Sequence, residues 1–459
     1  HEGTMKTSLP VLSLIALTAF ILLGWQPFDQ NINRGLFIFI VAAILWISEA
    51  IHLTATALLI PLLAIILGIL PVKEALDGFS HPIIFIFIGG FSLAAALQHV
   101  GLDQAMANKI LLWSSGKTSR AIALLFLLTA ILSMWVSNTA VAALMLPLAL
   151  GMINKLKIQH HNTMLFILLG IAYSASIGGM GTLVGSPPNA IVAANLKLSF
   201  SDWLVIGLPM VIILLPILLS VLYLSLKPQL PAYIPEDSQK KQKPEVHTTN
   251  NDTSTQKKWP VLIIFFTTII LWLLGQPIGQ ALEIKQYFDS AVAIFAVIAL
   301  VASQQVPWKV IQEKNDWGVL ILFGGGLTLS TILKATGASA FIAESMSHYI
   351  QHLPFILILF TVVLFVIFLT ELTSNTATAA LLVPLFISLA DSINVSPDIL
   401  ALAIGFAASC AFMLPVATPP NAVVFGSGLV PQKDMMTAGL KLNIVSALIL
   451  PLLLWLILA

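Results

Sequence analysis

Charge is scarce in this sequence of 459 residues: Asp, Glu, Lys and Arg make up 9%, against 58% for the set AVILMFWYC. A soluble domain carries about 25% charged residues because its surface faces water. With so few, most of the surface must face lipid, which excludes an ordinary soluble enzyme, a disordered chain and a nucleic-acid binder. Cysteine is nearly absent. The single Cys410 forms no intrachain disulfide and sits in an apolar run, where it reads as a small packing residue. The net charge of +1, from 21 basic and 20 acidic residues, implies no acidic partner. Catalytic signatures are missing too: no H-E-x-x-H or G-x-S-x-G occurs, and Cys and His do not cluster at metal spacing. Gly116-Lys117-Thr118 imitates the end of a phosphate loop, but position 111 is Leu where the first glycine belongs. A hydrolase built on Ser137 or Ser374 would need a positioned base, and no His or Lys lies nearby in sequence. The reading is therefore no enzyme and no cofactor.

What the sequence has is long apolar runs. An apolar helix of about 20 residues crosses the hydrocarbon core. That ruler predicts spans near 9–25, 35–50, 53–71, 82–101, 163–184, 203–226, 260–277, 288–303, 317–337, 398–416 and 436–458. Two further runs, 120–151 and 353–390, are too long for one span, and a Ser-Asn-Thr triplet interrupts each in its middle. Backbone that leaves the helix at membrane depth must be buried in protein or line a cavity. Each run is therefore expected to be a re-entrant hairpin. The predicted fold is an all-α polytopic membrane protein of about 11 transmembrane helices plus two hairpins.

The halves repeat one another. Ser137–Pro147 and Ser374–Pro384 are identical at eight of eleven positions, GSPPNAIV at 185–192 matches ATPPNAVV at 417–424, and Gly89-Gly90 and Gly101 match Gly325-Gly326 and Gly337. Three matches in one order at nearly one offset point to an internal duplication. The expected organisation is a cloning scar at 1–4, a first transmembrane helix at 5–34, a first repeat at 35–226, a hydrophilic linker at 227–259 and a second repeat at 260–459. Each repeat would hold five spans and one hairpin. Five is odd, so the second repeat would be inverted relative to the first. With the N-terminus and linker in the cytoplasm, the inner segments hold 16 of the 21 Lys and Arg, which the positive-inside rule favours.

Only Glu49 and Glu371 fall at predicted membrane depth, and no Lys or Arg does. An anion bound mid-membrane would then rest on helix ends, amides, hydroxyls or a co-bound cation. Ser137 and Ser374 stand where a second hairpin helix would start, and Ser is a favoured N-cap. Pro187 and Pro419 suit the first turn of a new helix. About four helix N-termini would meet near the midplane, each presenting free N–H groups and a partial positive charge, an arrangement suited to a small molecule with two carboxylates. The glycine pairs read as close helix contacts. Glu371, matched by Met134, reads either as a hydrogen-bonded structural carboxylate or as a coupling residue. Glu49, His52, His81 and His99 read as packing or interface groups.

The duplicated Ser-Asn-Thr hairpins and Pro-Pro-Asn loops resemble those of the divalent anion/sodium symporter (DASS) family of di- and tricarboxylate carriers. The resemblance covers nearly the whole chain after the first span. It implies a secondary active carrier working by an elevator movement, a homodimer, and sites that carry over by position. One sodium site would use Ser133, Ser137, Asn138 and the Gly185 carbonyl; the second would use Thr370, Thr373, Asn375 and the Ala417 carbonyl. The substrate would lie between Ser137-Asn138-Thr139 and Ser374-Asn375-Thr376, edged by Ser186, Thr418 and Pro419. The family also contains sodium-independent exchangers, so both sodium symport and dicarboxylate exchange stay open. The expected cargo is a C4–C5 dicarboxylate (succinate, malate, fumarate or 2-oxoglutarate), with sulfate or another inorganic divalent anion as the alternative. Expected partners are this small molecule, membrane lipid of the cytoplasmic membrane and a second copy, with no nucleic acid.

Overall fold

The computed structural model describes residues 9–102, 105, 109, 113–114, 117–231, 257–284 and 286–458. The proposed scar at 1–4 and most of the linker at 227–259 lie outside the described residues. Every long described element is a helix. The first half holds α1 (Leu9–Ala19), α2 (Gln30–Ser48), α3 (Leu53–Ile66), α4 (Val72–Leu76), α5 (Pro82–His99), α6 (Thr118–Ser133), α7 (Asn138–Lys155), α8 (His161–Gly178), α9 (Pro187–Leu196) and α10 (Phe200–Leu226). The second holds α11 (Lys258–Leu273), α12 (Gly275–Ala281), α13 (Phe288–Ala302), α14 (Trp308–Lys314), α15 (Trp317–Ala335), α16 (Ala338–Ile350), α17 (Phe355–Thr370), α18 (Asn375–Ser392), α19 (Pro397–Ala408), α20 (Pro419–Phe425) and α21 (Gln432–Leu458).

Local chemistry sets the boundaries. Helix starts leave N–H groups without partners, and a side-chain acceptor one position before the helix satisfies one of them. Asp29 does so for α2, Asp316 for α15, and Ser199 with Asp202 forms a reciprocal box at α10. His52 and His81 do the same for α3 and α5 through ring nitrogens, the concrete form of their expected interface role. Gly101 and Gly337, matched in sequence, both adopt the left-handed conformation (φ 66° and 74°) that turns the chain after α5 and α15.

Among the described residues seven helices are long and apolar enough to cross a membrane alone, and α11–α12 is a bent pair with an angle of 78°. The expected run 260–277 is thus not one straight helix. Two other expected spans also stop short: α8 ends at Gly178 rather than 184, and α19 at Ala408 rather than 416. In both places the chain continues as non-helical backbone, fully buried over 179–186 and buried or half-buried over 409–418 except at Val416, which is exposed. Burial within protein is the condition on which such backbone survives at membrane depth.

Two layers of contact organise the halves. The glycine pairs permit one: a Cβ on Gly89 would lie 2.9 Å from the Ala293 Cα of α13, and a Cβ on Gly325 would lie 2.7 Å from the Ala57 Cα of α3. No side chain fits there, so α5 packs on α13 and α15 on α3, each half against the other. The second layer is also crossed. α9 of the first half packs against α18 and α19 of the second, while α20 of the second packs against α7 and α8 of the first. Each hairpin is completed by a short helix from the opposite half.

Candidate functional site

Both interrupted runs are helix–break–helix hairpins, α6–α7 and α17–α18, with the Ser-Asn-Thr triplets at the breaks. Ser137 and Ser374 adopt almost the same non-helical backbone (φ −56°, ψ 139° and φ −58°, ψ 134°) and receive Ala140 N–H at 3.3 Å and Ala377 N–H at 3.5 Å. The Pro-Pro-Asn segments repeat as closely: Ser186 sits at φ −149°, ψ 139° and Thr418 at φ −152°, ψ 143°, each extended just before α9 or α20. Asn189 and Asn421 then tie down the preceding loops. Asn189 Nδ2 donates to the Gly179 and Thr182 carbonyls at 2.9 and 2.8 Å; Asn421 Nδ2 donates to Ala411 and Leu414 at 2.9 and 3.0 Å.

Inside each half an oxygen cluster forms. Ser133 Oγ lies 2.5 Å from Asn138 Oδ1 and 2.7 Å from the Ala175 carbonyl. Thr370 Oγ1 lies 2.7 Å from Asn375 Oδ1 and 3.0 Å from the Ala408 carbonyl. A hydroxyl carries one proton, so each cluster crowds three oxygens around one donor. Such a gathering is what a hard cation exploits. Gly179 brings Gly185 into the first cluster's neighbourhood: a Cβ there would lie 2.6 Å from Asn138 Oδ1 and 3.0 Å from the Gly185 carbonyl. Their Oδ1 atoms are held in this way, while Nδ2 of Asn138 and of Asn375 donates no hydrogen bond to a described residue.

Two of the sequence expectations change. The side chain of Thr373 does not join Thr370 and Asn375; its hydroxyl donates 3.2 Å to the Trp46 carbonyl of α2. The count of about four donor-bearing helix ends falls to two. Prolines occupy the first two positions of α9 and α20 and carry no N–H, and the next N–H groups, of Asn189 and Asn421, bond back to the Ser186 and Thr418 carbonyls. The ends of α7 and α18 keep theirs. A lysine also shares a cavity with the first motif: a cavity of about 160 Å³ is lined by Ser137, Val136 and Ala140 from the first hairpin, Gln98 and Phe91 from α5, and Lys314 from α14.

Other candidates fall around these clusters. Ser137 and Thr139 are exposed and Asn138 half-buried; Ser374 and Asn375 are half-buried and Thr376 is buried. Ser186, Thr418 and Ala417 are buried and Pro419 is exposed. Glu371 sits in a full set of donors: its Oε1 accepts from Phe412 N at 2.7 Å, Met413 N at 2.9 Å and Asn443 Nδ2 at 2.7 Å, and its Oε2 accepts from Leu414 N at 3.1 Å. Of the two readings left open, this bonding supports the structural one. Glu49 is an exposed helix end. Sequence reasoning missed the Ala175 and Ala408 carbonyls, because a backbone oxygen 42 or 38 residues from its partner leaves no residue-type signal.

The comparisons agree with a transport role. The citrate transporter family (CitMHS) matches residues 43–405. A protein of Haemophilus influenzae described as an uncharacterized transporter is 51% identical over 440 residues, which is 94% of this chain and 93% of that one. The sodium-dependent dicarboxylate transporter SdcS of Staphylococcus saprophyticus is 32% identical over 473 residues, covering 96% of this chain and 88% of its own. Among solved structures, the YdaH transporter of Alcanivorax borkumensis superposes with a TM-score of 0.56 at 13% identity, over 83% of this chain and 87% of that one, a likeness of fold alone. Matched along nearly its whole length by such relatives, this helical membrane protein is a transporter and not an enzyme, and it belongs to the divalent anion/sodium symporter family of di- and tricarboxylate transporters.

Proposed function

We propose that the protein is a secondary active carrier that moves C4–C5 dicarboxylates such as succinate, malate, fumarate or 2-oxoglutarate across the cell membrane together with sodium. The observation that carries this reading is the twice-built oxygen cluster, Ser133–Asn138–Ala175 and Thr370–Asn375–Ala408. Moving a dianion inward against a negative-inside potential costs about 2.3 kcal/mol per charge per 100 mV. Sodium ions seated in the two clusters offset that charge. They also hold Oδ1 of each asparagine, so that Nδ2 and the free N–H groups at the starts of α7 and α18 face one carboxylate each. The name of the SdcS relative, a sodium-dependent dicarboxylate transporter, supports both the cargo and the ion.

The remaining parts of the proposal concern arrangement. The two repeats lie inverted in the membrane, with eleven spans, the N-terminus and the linker in the cytoplasm, and the hairpins moving as an elevator within a homodimer. The charge count along the sequence supports the orientation. Cysteines placed at Lys197 and Lys433 are then labelled only from outside and only from the cytoplasm, respectively; labelling from one side would remove the inversion. For function, purified protein in liposomes is given labelled succinate outside. Uptake into empty vesicles that follows a sodium gradient, and that succinate but not sulfate competes, is the expected result. Uptake only into vesicles preloaded with a dicarboxylate, indifferent to replacing sodium by choline, would make the protein an exchanger.

A further inference from the structure

The cavity of about 160 Å³ at the first hairpin brings a cationic side chain, Lys314, and a Ser-Asn-Thr motif to one lining. Its walls come from two packing units. Val136, Ser137 and Ala140 belong to the hairpin; Phe91, Ala94, Ala95 and Gln98 belong to α5, and Lys314 to the end of α14. Lys314 is carried there by the fold. The junction after α14 is pinned against the middle of α5, where Asn315 Nδ2 donates to Ser92 Oγ at 3.2 Å and is itself buried. That anchor fixes the direction from which Lys314 enters the cavity. Its ammonium makes no ion pair with any described residue, the two ion pairs being His161–Asp434 and Lys309–Glu313. In the first half Gly78 stands at the position that matches Lys314, and Phe79 beside it packs on Gly324, so no cation is offered there.

We propose that this cavity is the cytoplasmic antechamber between the first motif and the cell interior, with Lys314 drawing one carboxylate and Gln98 and Ser137 offering hydrogen bonds as the dianion passes to or from Asn138. The proposal rests on the reading of the protein as a dicarboxylate carrier. A compact, mobile ammonium suits a site that must bind and release; a planar guanidinium would grip a carboxylate at two points. The charge is exposed, so its pull is long-range and screened by salt.

The test uses proteoliposomes of inside-out orientation, so that added succinate meets the cytoplasmic face, at constant sodium and with ionic strength varied by choline chloride. At low ionic strength Lys314→Gln is expected to raise the KM for succinate about fivefold or more, and Lys314→Glu further, with kcat changing less than KM, as befits a group that steers rather than seats the anion. The gap between wild type and Lys314→Glu should close as salt is added, while Lys314→Arg, which keeps the charge and grips at two points, should not raise KM. In a Cys410→Ser background, Lys314→Cys should react with a negatively charged thiol reagent, and succinate should slow that reaction. An unchanged KM for both Lys314→Gln and Lys314→Glu at low salt, or labelling of Lys314→Cys that succinate does not slow, would overturn the antechamber. A wild-type protein that carries no dicarboxylate at all would instead overturn the function on which it rests.

Discussion

The two hairpins share a motif but not a way of holding it. In the first half the loop before α9 is anchored to the hairpin tip by a hydroxyl: Thr182 donates to the Met134 carbonyl, and the Met180 and Gly181 N–H groups close on the Ile177 and Gly178 carbonyls behind them. In the second half the matching loop has no such hydroxyl, since Leu414 stands where Thr182 stands. A carboxylate replaces it. Glu371 gathers the N–H groups of Phe412, Met413 and Leu414 and reaches Asn443 on α21. Both solutions leave the same product, a Gly185–Thr182 turn and an Ala417–Leu414 turn each closed at 3.2 Å, and the same extended residue before the short helix. The lesson is that the backbone shape around the oxygen clusters is what the two halves keep, and the side chains that enforce it are free to differ.

The strongest way to break that comparison is Glu371→Met, which gives the second half the first half's residue without its hydroxyl. Three N–H groups, one buried and two half-buried, and the buried Asn443 amide then lose their acceptor, and at about 1–3 kcal/mol for a buried donor left unpaired a loss of about 3–5 kcal/mol is expected. Thermal unfolding of the purified protein should show it, and Met134→Leu, a swap of similar volume, should stay within about 1.5 kcal/mol. Next come the asparagines. Asn138→Ala and Asn375→Ala each remove an oxygen and a donor at a cost of about 1–3 kcal/mol, or roughly 5- to 150-fold in affinity. Uptake should collapse in both while insertion and purification stay normal; a variant with near-normal uptake would show that only one half binds.

Smaller effects sharpen the comparison. Ser133→Ala deletes the hydroxyl at the centre of the first cluster, and a net bond of about 0.5–1.5 kcal/mol predicts a roughly 2- to 12-fold rise in the sodium concentration for half-maximal uptake. Thr370→Ser keeps the oxygen and should leave sodium dependence near wild type. The smallest change is expected from Thr182→Ala, about 0.5–1 kcal/mol of stability, because one neutral hydrogen bond carries less than a carboxylate holding four donors. If Thr182→Ala proved as damaging as Glu371→Met, the two anchors would be equivalent in strength as well as in place.

Much of this was legible in the sequence because it depends on nearest neighbours. Serine before a helix, proline in its first turn and a polar triplet inside an apolar run have local consequences, and the hairpin breaks and the starts of α7, α9, α18 and α20 fall where those residues stand. Gly89 and Gly325 announced close contact without naming the partner, which is Ala293 for one and Ala57 for the other. Illegible were the pairings made across the fold. Thr373 is taken by Trp46, 327 residues away, and the donors around Glu371 lie 41 to 72 residues on. Lys314 counts among the inner-segment lysines, but its place beside the first hairpin was hidden, because counting spans cannot register that α14 packs against α5.

The crossed packing of the short helices also has a consequence in time. α7 finds one of its neighbours in α20, close to the end of the chain, whereas α18 finds its counterpart in α9, which is made before it. During synthesis the second hairpin therefore folds onto a surface already present. The first must stay incomplete until almost the last helix has emerged, a wait of some tens of seconds at the usual 5–20 residues per second. Through that interval α7 lacks the packing that α20 provides. A chain cut after the first half would carry a hairpin with no helix to finish it, and only a second copy lying crosswise could supply one.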